Sequence, residues 1–247
     1  VADAAGRVFV LSAGVFDGFM EFSSDGYFTT FIGANRVKVD PIDLLWNRIA
    51  TKEQRSQMAR YIPTEFTNLD LDKDGFIYAT NIDDADDVIK KINARGDDIL
   101  RREGYHNQLG DLEFDRDQGA SRFIDITVSD NGIYSVLDSR KGRIFTYNDD
   151  GFLMYIFGGL GNKLGEFNAP VAIDRNEEQF LVLDRSLGEI TVFNASAYGL
   201  TLDNAVKSYE LGEEEEAYRL FQDAVKMNVN LEFAYTGIGK ALLRQDD

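Results

Sequence analysis

A mainly β architecture, the blade repeat of a β-propeller with a helical tail, is predicted by three observations. The first is a recurring unit: an acidic turn, a short apolar strand, a polar tip, then a second strand ending on an aromatic residue or Ile. Its copies begin at Gly6, Gly75, Asn131 and Glu178. The second is spacing, since the equivalent positions Phe9, Tyr78, Tyr134 and Leu181 stand 69, 56 and 47 residues apart. Four-stranded units that recur at roughly 40–50 residues mark propeller blades, and longer intervals mark insertions. The third is a change of apolar period from 2 to 3.6 after Leu202, which marks helices.

Taken in order, residues 8–11, 77–80, 133–137 and 180–183 are expected to fill equivalent strands of four antiparallel sheets. Residues 1–6 align with an innermost strand and its turn, as residues 71–75 do, so the chain is expected to start inside a repeat. Four copies cover about 1–200, either a minimal ring or part of a larger one, since closed propellers carry about 4–8 blades. An open arc would expose two apolar sheet faces and favour self-association through them.

Residues 36–63 interrupt the pattern. Leu44, Leu45, Trp46 and Ile49 fall on helical spacing after Pro41, and Thr51 with Gln54 forms a capping box before a second helix that Pro63 stops. A two-helix insertion in a β protein is predicted. After Leu202, helices are expected over 203–209, 213–228 and 231–243, with Gly212 as a break. Ala217, Phe221 and Ala224 stand at i, i+4 and i+7. One and a half helical repeats fall short of the ~3 usually needed for independent stability, so these helices must lean on the sheets or on residues beyond Asp247, where a further helix is expected.

The stretch LGEFNAPVAIDRNEEQFLVLDRSLGEITVF (164–193) resembles the NHL-repeat consensus, in which a Gly-x-Phe-Asn-x-Pro loop enters the innermost strand. DITVSDNGIYSVLDSRKGRIFTY repeats the pattern, with Asp138 ahead of Arg143, a pair expected to bridge strands inside the blade. The tail resembles tetratricopeptide (TPR) repeats, and the order of parts is similar to secreted NHL-plus-TPR proteins of Gram-positive bacteria. That resemblance covers essentially the whole chain. It implies further blades upstream, completing a six-bladed ring, a secretory signal before them and an extracytoplasmic location. The domains are then 1–200, propeller blades with the insertion at 36–63, and 201–247, truncated TPR-like helices.

Composition narrows the function classes. A net charge of −17 spread along the chain offers no basic stripe for phosphates, so nucleic acid is not an expected partner. Unaided adhesion to anionic lipid is disfavoured for the same reason. The chain has no Cys, which rules out disulfides, thiolate zinc and Cys nucleophiles. The 18 Phe and 11 Tyr suit layered β packing. No apolar run approaches the ~18–20 residues of a membrane span.

Few residues suggest chemistry. The run Asp70-Leu71-Asp72-Lys73-Asp74-Gly75 matches the first half of a calcium loop, but position twelve is Asn81 rather than a bidentate Glu, and a plain turn is expected. His106 is the only histidine and stands in a polar loop, so no His cluster can form. Asp125 and Asp174 on predicted inner strands leave a carboxylate-only site open. The insertion is distinct. Arg36, Lys38, Arg48, Lys52, Arg55 and Arg60 stand against three acidic residues, a local net of +3 beside Trp46. It reads either as a helical lid salt-bridged to an acidic rim or as a docking element for an acidic partner or a membrane surface.

The expected function is a non-enzymatic protein–protein interaction scaffold without cofactor, whose interaction surface is the basic insertion and the helical tail. The alternatives are a propeller enzyme of lactonase or lyase type and a glycan- or small-ligand-binding module.

Overall fold

The computed structural model describes residues 1–34, 64–81, 87–112, 119–176 and 179–245. The basic insertion, with Arg36, Lys38, Trp46, Arg48, Lys52, Arg55 and Arg60, lies outside the described residues. Among the described residues thirteen strands form four small antiparallel sheets, and three helices follow them. The first sheet holds β1 (Val8–Val10), β2 (Phe19–Phe22) and β3 (Phe28–Ile32). The second holds β4 (Phe66–Leu71), β5 (Ile77–Asn81) and β6 (Ile89–Ile92). The third holds β7 (Phe123–Val128), β8 (Tyr134–Asp138), β9 (Arg143–Tyr147) and β10 (Leu153–Gly158). The fourth holds β11 (Pro170–Asn176), β12 (Gln179–Asp184) and β13 (Glu189–Asn194).

Each sheet is a simple meander because its turns are built locally. Asp3, Asp72 and Asn93 each accept the amides two and four residues on with one side-chain oxygen, at 2.8–3.0 Å. The residue three along takes the left-handed conformation, as Gly75 does at φ 81°, which a side chain there would strain. The stretch read against a calcium loop is therefore a hairpin turn, and Asp72 serves its own amides. Strands β5, β8 and β12 are second in their sheets, as the repeat predicts. β1 takes the same place once residues 1–3 are counted, because Ala2 bridges Val8 and the Phe9 amide donates to the Val1 carbonyl at 2.9 Å.

The sheets stack in chain order. Phe9, Phe19 and Ile32 meet Leu69, Ile77 and Ala79 between the first pair. Tyr78 and Ile89 meet Phe123, Tyr134 and Val136 between the second and third. Leu137 and Ile144 meet Phe167, Ile173 and Phe180 between the third and fourth. Every residue of β5 and β8 is buried, because each of these strands lies between two such layers. The inner strands run side by side, β4 against β7 and β7 against β11.

Helices α1 (Ala197–Glu210), α2 (Glu214–Met227) and α3 (Glu232–Gln245) close the chain. The Ser196 hydroxyl caps α1 by accepting the Gly199 amide, so α1 begins six residues before the start that periodicity predicts. Leu202, Val206, Phe221 and Phe233 form their common core and seat it on Ile133, Phe152 and Met154 of the third sheet. Gly237 is required there, since a Cβ would stand 2.5 Å from the Phe221 ring. Lys240 bonds Asp150 at 2.6 Å, and Arg175 and Tyr155 both bond Asp203, tying α3 and α1 to the sheets.

One expected pair is not made. Asp138 accepts from the Ser121 hydroxyl and the Arg122 and Arg140 amides at 2.6–2.9 Å, while Arg143 pairs with Asp111. The strand-end carboxylate is spent on backbone instead, because the turn and the incoming strand both bring amides to it. Asp184 repeats this device, taking the amides of Asn168, Ala169, Ser186 and Leu187. Burial opposes its ionisation, but those four bonds hold its carboxyl below the usual range. Asp184→Ala should cost about 2–4 kcal/mol by stranding these amides. Urea unfolding measures it, and a loss under about 1 kcal/mol would show that water replaces the carboxylate.

Candidate functional site

The inner-strand carboxylates come first, since Asp125 and Asp174 are the residues on which a catalytic reading would rest. Asp125 is buried and fully engaged. It accepts the Ile173 amide of the next sheet at 2.7 Å, its neighbour Ile126 at 2.9 Å and the Asn68 side chain at 2.5 Å. Burial raises its carboxyl to about 6, with Asp70 and Asp174 adding to the rise. Asp70 does the same for the Val128 amide at 2.9 Å, and burial raises its carboxyl too. Asp174 is exposed and, among the described residues, accepts only the Arg175 amide next to it. Among the described residues no group of three His, Cys, Asp or Glu is placed to hold a metal ion. His106 is exposed, its ring edge-on to Tyr105.

A concave feature lies where the chain leaves β structure. Each of the first three sheets carries four paired segments. Residues 1–3 with β1–β3 make the first; β4–β6 with Asp98 bridged to Ile92 make the second; β7–β10 make the third. The fourth sheet ends at β13, because the Ser196 cap turns the chain into α1. Beside β13 a cleft of about 520 Å³ therefore opens between β10, the fourth sheet and the start of α1. A second hollow, beneath α3, measures about 30 Å³ and has room only for water.

The cleft is aromatic and carries no charged side chain on its wall. Phe157 stands between Phe180 and Phe193, with ring centroids 5.0 and 5.1 Å away. Tyr155 is held in place by its bond to Asp203 at 3.0 Å, and burial, reinforced by that carboxylate, pushes its hydroxyl far above the usual tyrosine range. Asn194, Ser196, Tyr198 and Asn228 supply polar atoms at the rim. Both strands facing it, β10 and β13, are outer edges of their sheets. The arrangement can bind an apolar, extended ligand and offer it backbone hydrogen bonds. Sequence reasoning missed this cleft. Its signals were the Phe157, Phe180 and Phe193 positions and a copy that passes into helix before a fourth strand.

No protein-family model matches the chain, and no curated protein is similar to it. Solved structures similar to it include a virginiamycin B lyase from Staphylococcus aureus, at 12% identity over 80% of this chain and 55% of that one, with a TM-score of 0.40. A streptogramin B lyase shows 14% identity over 80% and 54%, with a TM-score of 0.42. The Swd1 β-propeller domain from Myceliophteria thermophila shows 11% over 79% and 52%, with a TM-score of 0.41. The chain thus spans about half the length of each. These names cover a lyase and a propeller domain alike, and the likeness bears on neither activity nor partner.

The raised Asp125 carboxyl has a measurable consequence. Between its unfolded value, 3.8, and about 6, the folded chain binds a proton that the unfolded chain does not. Stability from this group therefore rises as pH falls through that window and is complete below it. Asp125→Asn removes the effect. Wild-type stability minus variant stability should be larger near pH 4.5 than near pH 7, by about 1–3 kcal/mol in urea unfolding. An unchanged difference would mean that Asp125 stays ionised throughout.

Proposed function

We propose that this chain is a non-enzymatic scaffold that holds other proteins, built from NHL-type β-propeller blades and TPR-like helices, and that a partner's extended segment docks along β13. The observation that carries this reading is the uncharged aromatic cleft of about 520 Å³ between two unpaired strand edges. Strand addition at an edge draws affinity from main-chain hydrogen bonds and specificity from pockets for alternate side chains. Phe157, Phe180 and Phe193 make such pockets. The inner carboxylates speak against chemistry at the centre, because Asp70 and Asp125 are occupied by amides of the next sheet. The resemblance to secreted NHL-plus-TPR proteins supports an extracytoplasmic location.

Peptides of alternating apolar and polar residues, selected on the purified protein from a library, test this directly. Ala195→Trp fills the cleft mouth and should weaken the selected peptides at least about tenfold by calorimetric titration, with the circular dichroism unchanged. Binding that survives Ala195→Trp, yet is lost on changing Arg48, Lys52 and Arg55 to Glu, would move the site to the basic insertion.

A further inference from the structure

The fourth sheet ends one strand short of the third among the described residues, and the third sheet records what such a strand meets. There β10 runs antiparallel along β9, with Phe157 opposite Ile144 and Gly158 opposite Arg143. Arg143 opens β9 directly after the turn at Gly142, whose amide donates to the Asp138 carbonyl at 2.9 Å. Glu189 opens β13 in the same way, after Gly188, whose amide donates to the Asp184 carbonyl at 2.9 Å. The two positions are equivalent and opposite in charge. Arg143 is answered by Asp111. Glu189 is exposed and makes no ion pair among the described residues. It also lies directly across from Asp184, a carboxylate held ionised by four amides. Like charges so placed on a strand pair repel, and a cation beside Glu189 relieves the repulsion. The cleft wall supplies no such cation, and Arg175, which stacks on Phe180, is committed to Asp203.

Register fixes the distance between that position and the cleft. Phe193, Thr191 and Glu189 pair with Phe180, Val182 and Asp184 without a bulge, so they share the face of the sheet that packs on the third sheet. Phe193 stands in the cleft with its ring 5.1 Å from that of Phe157. Glu189 lies four residues back along the strand, about 13 Å away. A strand laid antiparallel along β13, as β10 lies along β9, sets one side chain opposite Phe193 and, four residues later, another opposite Glu189.

We propose that the segment docked along β13 is basic at one defined place. An apolar or aromatic residue fills the cleft against Phe157 and Phe193, and a Lys or Arg four residues towards the segment's C-terminus pairs with Glu189. This rests on the docking position proposed above and adds the chemistry of its partner. The chain's net charge of −17 steers a basic segment in and turns an acidic one away.

Selection from a fully randomised peptide library tests the pairing. On the wild-type chain, Lys and Arg should be enriched at the fourth position after the apolar anchor. On Glu189→Lys, a change at an exposed position that should leave the circular dichroism unaltered, Asp and Glu should take their place. Replacing that Lys or Arg by Glu in a selected peptide should weaken its binding to the wild type about tenfold, and Glu189→Lys should recover it. Peptides that are lost on Ala195→Trp, yet carry no charge preference at that position or keep it on Glu189→Lys, overturn the basic pairing and leave the docking position standing. Peptides indifferent to Ala195→Trp overturn both, and so does a selection that yields no binder.

Discussion

Backbone amides at the inner edge of each sheet have no strand to bond, and meeting that need organises this molecule. β4, β7 and β11 run side by side yet belong to different sheets, so no ladder joins them. A buried amide without an acceptor costs about as much as a lost hydrogen bond. Asp70 and Asp125 supply the acceptors, and each carries its carboxylate on the face that meets the next sheet. The link is directional, from one sheet to its successor. It sets the spacing at which the apolar layers then close, with Tyr78 and Tyr134 at a ring distance of 5.4 Å and Phe123 and Phe145 at 5.7 Å. The apolar contact contributes more energy, at about 1.5–3 kcal/mol for each large side chain buried. It is not directional, however, and would tolerate sliding that the carboxylates forbid.

The same residue type serves the outer loops. Asp138 and Asp184 end the second strands of their sheets and gather amides from a turn on one side and an incoming strand on the other. Part of the chain's acidity is thus spent on its own backbone. Two basic side chains instead join separate modules. Arg175 reaches Asp203 of α1 and stacks on Phe180, and Lys240 reaches Asp150 below α3. Buried pairs of this kind add little net stability but strongly penalise an arrangement that separates them. They fix where the helices sit on the sheets, and so they hold the walls of the aromatic cleft.

The cleft exists through a mismatch in length between neighbouring sheets. β10 gives the third sheet an outer strand, while the chain after β13 is diverted by the Ser196 cap and by the apolar stripe of α1. Helix formation there competes with a fourth strand, and Leu202, Ala205 and Val206 find a better burial against α2 than a strand edge offers. The outcome is two outer strands, unpaired on that side among the described residues, that flank Phe157, Phe180 and Phe193.

What the sequence by itself determined is the local part. The turns were legible because Asp3 and Asp72 bond amides within four residues, and the sheets because period-2 runs alternate with those turns. The helices were legible through Ala217, Phe221 and Ala224, whose spacing defines a single face. Only the tertiary structure decided the rest. Asp138 could be expected to meet Arg143 from strand spacing, yet the Ser121 hydroxyl and the Arg122 amide reach it first, and that depends on how the preceding loop returns. Asp125 reads as a channel carboxylate until the fourth sheet arrives with the Ile173 amide, 48 residues away in sequence. The cleft joins β10 to residues of α1 and of the loop after α2, and no short-range pattern encodes such a meeting. The physical reason is common to all three: a side chain takes whichever donor or apolar surface folding brings nearest, and the chain chooses that neighbour by packing whole layers at once.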